Sequence, residues 1–191
     1  MTKFGVILAR FQPVHEGHIA LIKKACDEND NVLLLVGSAD KYGERNPVPL
    51  HLRVEMLKEA LIANKLDSKC VIHPFDDLTS EEDNSFDWGF YLYAKVVDVI
   101  KESYFTIYYS DGYEIITSWF PGHILRNYIS LSLLARAKVE KGISATQVRE
   151  VLMNYDKDDE TIEKLKDMVP ESVFSRREML REFININTKK R

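Results

Sequence analysis

The sequence predicts an α/β fold, an open parallel sheet with helices on both faces. Three observations predict it. Short apolar runs recur without polar alternation, as strands covered on both sides require. Stretches with apolar residues at helical spacing stand between them. The alternation of the two continues along most of the chain. Ligands of such sheets bind outside the carboxyl ends of the strands, so functional residues are sought in the loops that follow strands.

Residues 5–9 form the first apolar run, read as a central strand, and a loop follows it. Over 17–28, Leu21, Ile22, Ala25 and Cys26 recur at helical spacing, and 32–36 reads as a second buried strand, which completes a β-α-β unit. Leu50, Val54, Leu57 and Leu61 mark the next amphipathic helix, and 70–73 is a short strand stopped by Pro74. A helix over 89–101 precedes a strand over 106–109. Residues 113–134 mix aromatic, Pro-Gly and β-branched residues and are read as a short helix followed by another strand. Ser144 with Gln147 three residues later is a capping-box signature, so a helix should begin near Ala145 and run through Val148, Val151 and Leu152. Two more helices are expected over 161–168 and 171–184, separated by Pro170. The expectation is one domain over 1–191, with 145–191 a C-terminal helical portion packed on the sheet.

A chain of 191 residues that is 45% hydrophobic and 29% charged can bury a continuous core. Its formal net charge of -4 argues against a nucleic-acid partner, because phosphate-tracking proteins carry a basic excess. Cys26 and Cys70 are far apart in sequence and lack the spacing of a zinc or redox motif, so both are expected as reduced core thiols. No apolar stretch approaches membrane-spanning length and no cleavable signal opens the chain; a soluble, cytoplasmic protein without membrane contact is expected. The acidic run Asp76, Asp77, Glu81, Glu82, Asp83 and Asp87 reads mainly as a solvated loop.

The stretch Arg10-Phe11-Gln12-Pro13-Val14-His15-Glu16-Gly17-His18 follows the first strand and opens the first helix. A helix amino terminus presents unpaired N–H groups and positive potential, and Gly17 removes a side-chain obstacle there, so phosphate oxygens can approach. His15 and His18, three apart, share the first turn, where ring N–H groups can donate to a triphosphate and its developing charge. Arg10 adds a permanent charge. A histidine pair alone fits a surface accident or a structural hydrogen bond; the strand before it and the helix after it favour function. Ser144 and Thr146 put hydroxyls at a second helix start, and Arg149 supplies a guanidinium within the next turn, which makes another anion site. Neither a Walker-type loop nor a Gly-x-Gly-x-x-Gly fingerprint occurs, which disfavours a kinase or dehydrogenase.

Phe11-x-Pro13-x-His15-x-Gly17-His18 resembles the signature of the HxGH-motif nucleotidyltransferases, whose fold is Rossmann-like, and Ile143-Ser144-Ala145-Thr146-Gln147-Val148-Arg149 is similar to their second motif. The chain most resembles the archaeal-type nicotinamide mononucleotide (NMN) adenylyltransferases, through Arg10-Phe11-Gln12-Pro13, Gly37-Ser38-Ala39, Arg45-Asn46-Pro47, Tyr109-Ser110 and Trp88. Ala9 stands where that branch commonly has glycine. The resemblance implies an enzyme that transfers AMP from ATP to NMN, giving NAD and pyrophosphate, with no covalent enzyme intermediate. His15, His18 and Arg149 are implied as catalytic, and Ala9, Arg10, Phe11, Gly17, Ser144 and Thr146 as ATP-binding. Trp88, Ser38 and Arg45 are implied as acceptor-binding, Trp88 by stacking on the nicotinamide ring. Mg2+ is expected to arrive mainly on the ATP phosphates, with no protein ligand named. A homo-oligomer is compatible with the family. The alternatives are a relative with another phosphorylated acceptor such as phosphopantetheine, and a non-catalytic nucleotide-binding regulator. A class I aminoacyl-tRNA synthetase is disfavoured, since the second motif has no lysine.

Overall fold

A computed structural model describes residues 2–79, 85–111, 114–135, 142–154 and 158–188. Glu81, Glu82 and Asp83 of the acidic run, and Tyr113, lie outside the described residues. Five strands, β1 (Phe4–Ala9), β2 (Asn31–Val36), β3 (Cys70–Pro74), β4 (Phe105–Ser110) and β5 (Ile129–Leu134), form one sheet in the order β3-β2-β1-β4-β5, and every pairing is parallel. Helices α1 (Glu16–Glu28), α2 (Leu50–Ala63) and α3 (Phe86–Ile100) supply the early crossovers. A 3-10 turn (Glu114–Thr117) and α4 (Gly122–Asn127) connect β4 to β5, and α5 (Ala145–Leu152), α6 (Asp159–Met168), α7 (Glu171–Phe174) and α8 (Arg177–Thr188) complete the chain.

Alternation of side chains along each strand divides the core in two. Ile7, Val32, Leu34 and Val36 face one side and are covered by apolar residues of α1, α2 and the C-terminal helices. Val6, Leu8, Leu33 and Leu35 face the other, under Leu92 and Val96 of α3 and Ile124 of α4. Strands clad on both faces need no polar alternation, which is why they stand out in the sequence as plain apolar runs. The chain grows from β1 in one direction through β2 and β3, then returns across the sheet to β4 on the other side of β1. This reversal leaves a crevice at the carboxyl ends of β1 and β4.

One expectation is corrected. Residues 171–184 form two helices rather than one: the Arg176 N–H bonds to Val173 O at 3.1 Å, an i to i−3 closure that tightens the chain. That turn carries the Arg176 guanidinium to Glu59, at 2.7 and 2.8 Å, and to Glu55 at 2.9 Å, both on α2. Cys26 and Cys70, though distant in sequence, lie with their sulfurs 3.6 Å apart as free thiols, because the end of α1 packs on the start of β3. Among the described residues, no helix is long and apolar enough to cross a membrane.

Candidate active site

A cavity of about 410 Å3 occupies the crevice. Its floor is the ends of β1, β2 and β4, through Leu8, Ala9, Gly37 and Tyr108 to Ser110; its sides are the starts of α1 and α5. The turn from β1 to α1 is folded tightly. Phe11 adopts a left-handed φ of 51°, and the Gln12–Pro13 peptide is cis. The buried Gln12 amide clamps the turn to the segment before α2, donating to Val48 O at 3.2 Å and accepting from Val48 N at 2.9 Å. A left-handed non-glycine residue persists only where its surroundings over-determine it, and the Phe11 ring is held in the core beside His18, with centroids 4.8 Å apart.

His15 is the N-cap of α1, with extended backbone, and His18 stands in its first turn. Their rings stack at 3.7 Å with 30° between planes. The His15 backbone N–H donates to Nδ1 of His18 at 3.3 Å, which assigns the neutral His18 proton to Nε2 and leaves that atom as a donor. Gly17 also makes room within the protein. A Cβ there would lie 3.1 Å from the His15 ring and 3.1 Å from the Ile143 carbonyl oxygen, so part of the space the glycine frees is filled by protein. The two motifs, far apart in sequence, thereby touch.

At the start of α5 the capping box forms: Gln147 N donates to Ser144 Oγ at 3.3 Å, and Ser144 N donates to Gln147 Oε1 at 2.8 Å. Arg149, one turn on, reaches back to the first motif. Its Nη1 donates to Gln12 O at 2.9 Å and its Nη2 to Thr146 Oγ1 at 3.3 Å. Burial and then the nearby Arg10 hold its pKa below the usual arginine range.

Arg53 is the residue that sequence reasoning missed. In the middle of an amphipathic helix an arginine reads as solvent-facing, yet this one is 0% exposed. Its guanidinium donates to Arg10 O at 2.9 Å, Gly37 O at 2.8 Å and Ser38 O at 3.1 Å, which joins the loops after β1 and β2. Burial, and secondarily Arg10, push its pKa down to about 10, so it stays charged at neutral pH. Arg10, Arg53 and Arg149 thus crowd three cations around one crevice, at a mutual cost that a polyanion relieves. The only signal in the sequence was an arginine inside the apolar spacing of α2.

The opposite end of the cavity is aromatic. Ser38, buried with φ 48°, follows β2; Trp88 opens α3; Trp119 comes from the segment between the 3-10 turn and α4. Trp88 is 4% exposed and stacks on Trp119, with centroids 4.8 Å apart and 18° between planes. All the residues named from the sequence as catalytic or ATP-binding line this one cavity, as do Ser38 and Trp88. Arg45 does not: it lies exposed on the turn before α2, outside the lining. Among the described residues, no group of three or more His, Cys, Asp or Glu could hold a metal ion.

The sequence profile of the cytidylyltransferase-like family matches residues 6–151. A nicotinamide-nucleotide adenylyltransferase of Thermococcus onnurineus is 31% identical over 122 residues, 61% of this chain and 63% of that protein. One from Caldivirga maquilingensis is 37% identical over 76 residues, covering 39% and 43% respectively. The chain therefore spans less than two thirds of the length of these relatives. A putative nicotinate-nucleotide adenylyltransferase structure from Vibrio parahaemolyticus superposes with a TM-score of 0.63 at 16% identity, over 94% of this chain and 99% of that one. A bifunctional NMN adenylyltransferase/ADP-ribose pyrophosphatase from Francisella tularensis, complexed with AMP and a manganese ion, gives 0.60 at 24% identity, over 81% and 42%. These structures share the fold. Matched from residue 6 to residue 151 of 191, the chain belongs to the cytidylyltransferase-like family.

Proposed function

We propose that this protein is a nicotinamide-nucleotide adenylyltransferase: it transfers AMP from MgATP to NMN, forming NAD and pyrophosphate. The observation that carries the reading is the convergence of His15 and His18 at one helix start, and Ser144, Thr146 and Arg149 at another, on a single cavity. The names of the relatives from Thermococcus and Caldivirga support the acceptor, and the AMP held by the Francisella neighbour supports the nucleotide.

The chemistry asks for positioning and charge rather than a base. The NMN phosphate is already anionic near neutral pH; one of its oxygens attacks the α-phosphorus of ATP while the bond to the bridging oxygen of pyrophosphate breaks. His18 Nε2 and the His15 ring donate to the reacting phosphate. Arg10 and Arg149, with the hydroxyls of Ser144 and Thr146, hold the β and γ phosphates, and Arg53 adds charge from below. Mg2+ enters as part of the nucleotide, which suits a cavity whose described lining contains one carboxylate, Asp77. Trp88 and Ser38 belong to the acceptor end. Arg45 contacts the acceptor only if its turn folds inward.

The test is to incubate protein, ATP, Mg2+ and NMN, measuring pyrophosphate and, by enzymatic reduction, NAD. Parallel reactions replace NMN by 4′-phosphopantetheine or ATP by CTP. NAD formation dependent on all components is expected. Product from phosphopantetheine alone would reassign the acceptor, and ATP binding without product for any acceptor would make the protein a regulator.

A further inference from the structure

We infer that Trp119 is a specificity-determining residue that occupies the acceptor's ring site in the free protein, so that only an acceptor with a flat ring can displace it. This deepens the adenylyltransferase reading and rests on it. A ring that binds by stacking on Trp88 needs an open indole face, and Trp88 has none: Trp119 stacks on it at 4.8 Å, Phe75 lies tilted at 5.7 Å, and Tyr91 meets it edge-on at 5.9 Å.

One of the three neighbours has to leave for stacking to occur. Phe75 is fixed by the sheet, its N–H bonded to Val36 O at 3.0 Å and its carbonyl to Ala39 N at 3.1 Å. Tyr91 shares α3 with Trp88, and its hydroxyl donates to Asp76 O at 3.1 Å. Trp119 belongs to neither a helix nor a strand, and it lines the cavity. Of the three neighbours it alone lines the cavity, so it is the one with open space to move into.

Two further features fit a displaceable ring. The Trp88 indole N–H is buried without a hydrogen-bond partner among the described residues, so the closed pair carries a cost that opening to water can relieve. The Trp119 backbone docks against a gap in α3: a Cβ on Gly89 would lie 2.0 Å from the Trp119 carbonyl oxygen. The glycine beside Trp88 is therefore what lets Trp119 sit over it. An indole exchanged for a pyridinium ring loses little, whereas an aliphatic acceptor recovers none of the stacking.

Trp88 and Trp119 are the two tryptophans of the chain, so the exciton couplet of stacked indoles in circular dichroism reports on this pair. The couplet should be present in the free protein, absent in Trp119→Phe, and weakened in Gly89→Ala. It should collapse on adding NMN with a non-hydrolysable ATP analogue, or NAD, and persist with 4′-phosphopantetheine. Trp119→Ala should bind NMN about two- to twelvefold tighter, the worth of one aromatic stack. An unchanged couplet at saturating NAD, or weaker NMN binding by Trp119→Ala, overturns the inference. NAD formation with an unchanged couplet rejects the displaced ring and leaves the enzymatic reading standing. If no NAD forms, the enzymatic reading fails, and the couplet read against a panel of flat-ring mononucleotides decides the inference, which falls if none collapses it.

Discussion

Replacing Arg53 by methionine should destabilise the protein by about 3 kcal/mol. Its pKa, lowered from 12.5 to about 10, places a penalty of roughly 3 kcal/mol on the buried charged form. Against this stand three hydrogen bonds from a charged donor, to Arg10 O, Gly37 O and Ser38 O. At about 1.5–3 kcal/mol each, they contribute roughly 5–9 kcal/mol. Methionine removes both sides of the balance and leaves three carbonyls in need of donors, for a net loss of about 1–6 kcal/mol centred near 3. Urea unfolding at pH 7 measures it, with the lysine variant intermediate because an ammonium keeps the charge but not the fork. Since the two loops that Arg53 joins carry Arg10 and Ser38, the Michaelis constant for ATP should rise in the methionine variant and recover partly in the lysine variant. A methionine variant within about 0.5 kcal/mol of the wild type, the range of an ordinary surface substitution, would refute the reasoning.

The other expectations concern single groups. His18→Ala should lower kcat by about 100- to 1,000-fold, as loss of a transition-state donor does, with a smaller change in the ATP Michaelis constant; an unchanged kcat in steady-state kinetics would remove His18 from the reaction. Ser144→Ala deletes the cap of α5 and should cost about 1 kcal/mol in chemical denaturation while weakening ATP. Tyr108, bonded to Glu28 and Asn29 at 2.8 Å, has its pKa raised from 10.0 to about 12 by burial and then by Glu28. The folded state therefore favours the neutral phenol: its contribution is complete below pH 10 and is lost as pH rises through about 12. The wild type should lose roughly 2 kcal/mol relative to Tyr108→Phe across that window, and parallel stability curves would contradict it.

Much of the fold was legible because a parallel sheet writes itself plainly. Residues 32–36 are apolar throughout since Leu33 and Leu35 feed one core while Val32, Leu34 and Val36 feed the other. The start of α5 was equally readable, as Ser144 and Gln147 satisfy each other locally. What depended on distant partners was not. Arg53 is defined by three carbonyls on two loops, Trp119 by a glycine on α3, and the break at Ser175–Arg176 by two glutamates on α2. No local pattern encodes such pairings. Gly17 stands out in the sequence beside the histidines, but the Ile143 carbonyl that it accommodates comes from a segment distant in sequence.

That contact bears on how the protein is made. The first motif emerges before the second in synthesis, and the wall formed by Ile143 and the guanidinium bonded to Gln12 O arrive only after the intervening strands and helices have been translated. A nascent or truncated polypeptide ending before Arg149 therefore owns the histidines yet lacks the second side of the cradle. It should neither retain ATP nor expose it to adventitious hydrolysis while still on the ribosome.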